Sequence, residues 1–247
     1  AMVGAVAAAP QIAANGDKIW LQNAALVYVP FVAAFAVLAW IGLKSVPVRA
    51  NFKEQLDIFR LKHNYFMTAL YVMTFGSFSG FSATFALLIK SEFGGFAGAP
   101  DPLQYAYLGP LVGSASRVVA GPISDRLGGA PVTQISGLGL LASTIGLVFF
   151  LDPASLDAFP WFVAFMLAIF FFAGIGNAST FKQIPMLCPP RQAGGVIGWT
   201  AGVAAFGPLA FGSLIAMSYA SFGSPKVFFY WVIVFYAACV GINWWCY

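Results

Sequence analysis

The feature that most constrains this chain is the length of its apolar stretches. Seven run for about twenty residues or more, at approximately 19–43, 64–89, 104–123, 131–151, 161–186, 194–219 and 226–246. A bilayer core about 30 Å thick is crossed by about 20 mostly apolar residues in a helix. The segments between the runs hold nearly all the charge, as they must if hydrocarbon is to exclude it. Only 8% of the 247 residues are charged and 60% are hydrophobic, whereas an ordinary soluble domain carries about 25% charged residues. These proportions exclude a soluble enzyme, a nucleic-acid binder and a disordered chain. The net charge of +4 comes from twelve Lys and Arg scattered along the chain without a basic stripe, so nucleic acid is no partner. The fold class that follows is an all-α membrane protein with the lipid bilayer as its solvent.

Cys188, Cys239 and Cys246 have neither the count nor the spacing of a disulfide framework, and no Cys pair or His cluster suggests a metal. They read as small apolar fillers. His63, the only histidine, sits beside Lys62 in a charged segment and reads as solvated. Residues 1–10 are apolar but too short to cross, and without a basic flank they do not form a signal peptide. They read as the tail of a preceding helix.

Sorting basic residues by side gives an orientation. With segment 44–63 in the cytoplasm, Lys44, Arg49, Lys53, Arg60, Lys62, Arg126, Lys182 and Arg191 lie inside, and Lys18, Lys90 and Lys226 outside. This positive-inside bias places the N-terminus outside and the C-terminus in the cytoplasm of a multi-pass protein of the inner (plasma) membrane.

Arg117 belongs to neither side. It lies in the middle of the third run, where even low insertion estimates assign such a residue a cost of roughly 2.5 to 3.5 kcal/mol. Gly109, Gly113, Arg117 and Gly121 recur every four residues, a small-residue stripe expected to bring a neighbouring helix close and to turn Arg117 towards protein or a water-filled cavity. All eight acidic residues map to loops or span ends, so no carboxylate stands at its depth. A guanidinium with planar, bidentate donors and no carboxylate partner suits a small oxyanion. The alternative is a structural arginine bonded to carbonyls or to an acid elsewhere.

In the preceding run, Tyr71 and Phe75 are four residues apart and share a face with Ser79, with Gly76 and Gly80 a step round. Such a pair either sandwiches a planar ion, the tyrosine hydroxyl donating, or simply packs. After the third run the loop GPISDRLGG offers Gly121 for close helix contact, Asp125 to cap or pair at a helix end, and Arg126 to bond neighbouring carbonyls. Its G-x-x-x-D-R-x-G-G spacing resembles the signature loop of the major facilitator superfamily, a conformational latch between the second and third helices of each six-helix half.

More specific stretches are LYVMTFGSFSGFSATFALLIK, YLGPLVGSASRVVAGPISDRLGG, FFAGIGNASTFKQIP and GGVIGWTAGVAAFGP. Together they are similar to the nitrate/nitrite porter (NarK-type) branch of that superfamily, over nearly the whole chain. The resemblance implies a C-terminal half: residues 1–18 a helix tail and outer loop, 19–43 the last helix of the N-terminal half, 44–63 the cytoplasmic linker, and 64–247 the six-helix half. It implies that Arg117 is the substrate arginine of the eighth helix, that Tyr71 and Phe75 line the anion site, and that the glycine-rich stretch Gly198 to Gly207 of the eleventh helix brings backbone close to it, with Gly198 and Ala201 at the site. Asn177 and Thr180 of the tenth helix would face the same cavity or bond between helices. The latch residues would be Gly121, Asp125, Arg126 and Gly128.

The partner arginine and the first nitrate signature of that family belong to a first half outside these residues. The expected activity is therefore that of a monomeric carrier formed with the missing N-terminal half, moving nitrate and nitrite by alternating access without cofactor, metal or enzymatic step. The lack of an ionisable group at membrane depth favours exchange over proton coupling. Other readings are a carrier for a different small anion or organic acid, a redox-complex subunit, which would need intramembrane His ligands, and a membrane hydrolase, which would need a Ser-His or metal pair.

Overall fold

A computed structural model describes residues 11–12, 18–19, 21–44 and 56–247, with side chains from residue 26 onward in that set. Expectations for residues 1–10 and most of the 44–63 linker lie outside the described residues. The chain divides into two compact units, Ala1–Arg49 and Ala50–Tyr247.

In the first unit two short strands, β1 (Gln11–Ile12) and β2 (Lys18–Ile19), pair antiparallel with Gln11 opposite Ile19. The helix that follows, α1 (Leu21–Gly42), therefore begins two residues later than the apolar run. It is apolar on all sides, and its large side chains are exposed in this chain, as befits a helix whose surroundings are lipid or further protein.

The second unit begins with a 3-10 turn at Leu56–Arg60. A single long rod follows, made of α2 (Lys62–Tyr71), a π-helical turn (Val72–Gly76) and α3 (Ser77–Phe93). Next comes a short helix, α4 (Pro102–Ala106), started by Asp101, whose carboxylate accepts the Leu103 N–H at 3.0 Å. The arginine helix α5 spans Leu108–Leu127, α6 Gly129–Val148, and the central helix α7 Phe159–Leu187. The sixth apolar run is not one helix but two, α8 (Pro190–Ala204) and α9 (Gly207–Phe222), broken at Ala205–Phe206; α10 (Lys226–Cys246) closes the chain. Pro208 explains the break, because it cannot donate to the carbonyl a turn earlier.

Among the described residues, five helical rods are long and apolar enough to cross a membrane: Lys62–Phe93, Gly129–Val148, Leu156–Leu187, Pro190–Phe222 and Lys226–Cys246. The arginine helix has the length but not the apolarity, since it carries Arg117, Asp125, Arg126 and many small polar residues.

Helix α7 packs along α5 on one side and α6 on the other. Small residues make this possible. A Cβ on Gly174 would lie 2.1 Å from the Gly113 carbonyl oxygen and from Ser116 Oγ, and one on Gly109 would enter the Phe170 ring. Hydroxyls then bond across the seams: Ser116 donates to the Phe171 carbonyl at 3.0 Å, Ser136 to the Phe172 carbonyl at 2.6 Å, and Thr133 meets Ser179 at 2.8 Å. Between these helices and α3, α9 and α10 lies an aromatic core that includes Phe81, Phe85, Phe162, Phe170 and Phe229.

At one end of the bundle, a polar cluster ties three connections together. The Tyr219 hydroxyl and the Asp152 N–H both donate to Glu92, the latter at 2.6 Å. Asp152 in turn pairs with Lys226 at 3.2 Å and accepts from Ser224 at 2.6 Å. Glu92 is a span-end acid, as its position in the sequence suggests, yet it is buried. His63 departs from its expected solvated role. It is half-buried, with Nδ1 2.9 Å from the Tyr247 hydroxyl.

Candidate functional site

The arginine helix turns its small residues inward along a line different from the one its four-residue spacing suggests. The buried positions are Gly109, Gly113, Ser116, Ala120 and Ser124, whereas Arg117 is exposed and a Cβ on Gly121 would have nothing within 4 Å. The expected stripe of Gly109, Gly113, Arg117 and Gly121 is thus corrected. Each four-residue step advances 400°, or about 40° past a full turn, so three such steps carry the stripe about 120° off the contact line. Spacings that alternate three and four residues stay on it. Arg117 consequently stands beside the seam at the margin of the packed face.

Among the described residues, no ion pair and no hydrogen bond engages the Arg117 guanidinium; Tyr71 is near enough to feel its charge. Tyr71 sits at the last turn of α2, next to the π-helical turn, and is buried. Its ring lies 5.3 Å from that of Phe75, with only 11° between the planes, and meets Phe181 edge-on at 4.6 Å. This geometry corrects the sandwich expected of Tyr71 and Phe75. The two rings stack on each other and leave no room for an ion between them, so they form one continuous aromatic wall. The π turn at Val72–Gly76 lies between them; single π turns inside α-helices are frequent at functional sites.

Phe181, from α7, was not singled out in the sequence, although it lies four residues after Asn177 in the same stretch and hence on nearly the same face. Asn177 is buried, and its Oδ1 has no hydrogen-bond partner among the described residues. Thr180 bonds helix to helix: its hydroxyl donates to the Gly176 carbonyl at 2.7 Å and lies 3.5 Å from the Thr74 hydroxyl.

The glycine-rich helix α8 packs its Ala193, Val196, Thr200 and Ala204 face inward, and Thr200 meets Thr68 of α2 at 3.2 Å. Gly194, Gly198 and Gly202 lie on another face, exposed, where an added Cβ would meet nothing within 4 Å. Ala201, half-buried, sits between the two faces. Within the expected stretch Gly198 to Gly207, a close approach is made at its far end, by Gly207: its Cβ would stand 2.3 Å from the Gly76 carbonyl oxygen. The break between α8 and α9 is therefore pinned to the π-helical turn.

The latch segment is mostly helical rather than a loop. Gly121, Asp125 and Arg126 belong to the last turns of α5, and only Gly128, at φ 90°, makes the turn into α6. Asp125 pairs with Lys182 of α7 at 2.5 Å; Arg126 is exposed, and none of its expected bonds to carbonyls is present among the described residues. Among the described residues no group of three or more His, Cys, Asp or Glu could hold a metal.

The family model of the Major Facilitator Superfamily matches residues 1–212. The chain is 62% identical over 231 residues to a probable nitrate/nitrite antiporter, NarK2, of Thermus thermophilus, covering 94% of this chain and 52% of that protein. It is also 32% identical to the nitrate/nitrite transporter NarU of Salmonella typhimurium over 258 residues and to that of Escherichia coli over 259, in each case 54% of the relative. The chain thus spans about half the length of the curated relatives it matches. With the family match reaching over more than four-fifths of its residues and a multi-pass helix bundle as its structure, the chain belongs to the major facilitator superfamily.

Proposed function

We propose that this chain is the C-terminal half of a nitrate/nitrite carrier and supplies one wall of its anion site. The observation that carries this reading is Arg117: a guanidinium near mid-helix, unpaired among the described residues, with the buried Tyr71 near enough to feel its charge. A fixed cation beside an aromatic wall and a hydroxyl donor attracts a small planar anion and excludes cations. The names of the relatives, a nitrate/nitrite antiporter and two nitrate/nitrite transporters, support nitrate and nitrite as that anion.

In the complete carrier, Arg117 faces a counterpart on the first half across the central cavity, as repeats of such carriers do. The bound anion offsets the repulsion between the cations and lets the halves close. The wall of Tyr71 and Phe75 borders the anion on one side rather than from both. Asn177, on nearly the same face of α7 as Phe181, is a further polar group of the site, and the bare face of Gly198, next to Ala201, admits backbone from the other half. Gly121, Asp125, Arg126 and Gly128 form the latch, with the Asp125–Lys182 pair holding α5 to α7. Exchange of nitrate for nitrite is favoured over proton symport. The carrier is monomeric, performs no chemical conversion, and sits in the inner (plasma) membrane with segment 44–63 and the C-terminus in the cytoplasm.

The test is Arg117→Lys in the complete carrier, which keeps the charge and removes the bidentate fork. Nitrate and nitrite exchange into proteoliposomes should be largely abolished at unchanged protein level, and normal exchange would sink the site. Competition by other small anions and organic acids separates nitrate specificity from that of another anion carrier.

A further inference from the structure

The 3-10 turn Leu56–Arg60 is not a free end of the linker. Three consecutive residues of it grip the glycine-rich helix α8 over its first three turns. The Asp57 carboxylate pairs with Arg191, the residue next to Gln192 at the start of α8. Ile58, buried, lies where a Cβ on Gly195 would come within 3.2 Å of its Cγ2. Phe59 meets the Trp199 ring edge-on, with centroids 4.8 Å apart and planes at 84°. The Tyr65 hydroxyl of α2 donates to the Phe59 carbonyl at 3.0 Å and holds the turn from behind.

The contacted residues Arg191, Gly195 and Trp199 recur every four positions and so form one strip of α8. That strip lies beside the inward face of Ala193, Val196, Thr200 and Ala204. The exposed glycines Gly194, Gly198 and Gly202 adjoin the strip on its other side, Gly198 standing only about 20° round the axis from Arg191. A helix with three glycines bare on one side has little steric resistance to turning about its axis; contacts along its inward face and along this strip remove that freedom. We infer that the Leu56–Arg60 turn is a clamp that fixes the rotation of the glycine-rich helix, with Asp57 as its positioning residue. The clamp rests on the proposed function for its consequence at the anion site, since the sector it aims is the one bearing Gly198 and Ala201.

The experiment reads rotation and transport separately in the complete carrier. A single cysteine at Gly198, in a background without the native cysteines, is labelled with a water-soluble maleimide. Asp57→Arg should change the labelling rate about threefold or more, the scale of an exposed ion pair turned into a repulsive one, and the exchanged pair Asp57→Arg with Arg191→Asp should return it. Nitrate KM, in carriers that keep Gly198 and are normalised to folded protein, should rise and return in parallel, with turnover less affected. Labelling unchanged by Asp57→Arg, or changed but not returned by the exchanged pair, overturns the clamp. If Asp57→Arg does not accumulate, the isosteric Asp57→Asn is read the same way: a changed rate supports the clamp and an unchanged rate overturns it. Labelling that follows the clamp in a carrier without nitrate exchange would sink the proposed substrate and leave the clamp standing.

Discussion

Gly174 shows how much of this fold depends on single atoms. A methyl group there would stand 2.1 Å from a backbone oxygen of α5 and from Ser116 Oγ, and the backbone cannot swing aside as a flexible side chain would. Gly174→Ala should therefore force α5 and α7 apart and cost roughly 1–3 kcal/mol or more, the range of overpacked cores. Gly194→Ala, with nothing within 4 Å, should be neutral or stabilising, because alanine removes up to about 1 kcal/mol of glycine's helix penalty. Thermal unfolding of the two variants in detergent checks the contrast. At this scale the sequence is partly legible. That Arg117 is exceptional follows from its place in an apolar run, since nothing else of its charge lies so deep. Which way it points does not follow, because the 40° drift per four residues accumulates unnoticed in a list of spacings. The stacking of Tyr71 on Phe75 was equally out of reach: their spacing is compatible with both a sandwich and a wall, and the ring planes decide between them.

The elements were legible where hydrophobic length is the only requirement and illegible where an internal irregularity shapes them. Runs 131–151 and 226–246 correspond to the helices Gly129–Val148 and Lys226–Cys246 within a few residues. Run 194–219 hides the break at Ala205–Phe206, although Pro208 signals it, and the π turn at Val72–Gly76 leaves no mark in hydropathy. The Leu56–Arg60 turn leaves no signal in the sequence because its partners, Arg191 to Trp199, are far away along the chain. Its polar anchor has a defined pH response. The Gln192 side chain first, and then the Arg191 pair, hold the Asp57 carboxyl below the usual range despite partial burial, with Arg60 adding to the effect. A carboxylate with a lowered folded value contributes stability that is present above the unfolded pKa of about 3.9 and is lost as pH falls through the folded value. Amide exchange in residues 56–60, corrected for intrinsic rates, should stay protected from pH 8 to about 5 and open only below. In Asp57→Asn the pH-dependent part should vanish; protection lost already between pH 7 and 5 would contradict the assignment.

At the scale of the molecule, this chain packs its interior and leaves the face bearing Arg117 open. Helix α7 is covered on both sides, the aromatic core is sealed, and the Glu92, Asp152 and Lys226 cluster joins three connections at one end. In contrast Arg117, Gly121, Gly198 and Gly202 are left bare. An arginine at that depth costs roughly 2.5 to 3.5 kcal/mol even on the lowest scales. A helix bundle that can pack its interior so fully does not leave such a residue uncovered unless water or protein meets it. In major facilitator carriers the cavity lies between two halves that rock about the bound substrate, so neither half alone can offer the site alternately to the two sides. This chain, purified and reconstituted by itself, should therefore fold, with Gly174→Ala lowering its melting temperature, but show no nitrate/nitrite counterflow. Co-reconstituted with the N-terminal half of the Thermus relative, with which it shares 62% identity over the matched region, it should recover exchange that Arg117→Lys removes. A nitrate-selective electrode reads all three preparations. Counterflow from the chain alone would mean that these residues close a pathway by themselves, and would overturn the assignment of Arg117 to a site shared between halves.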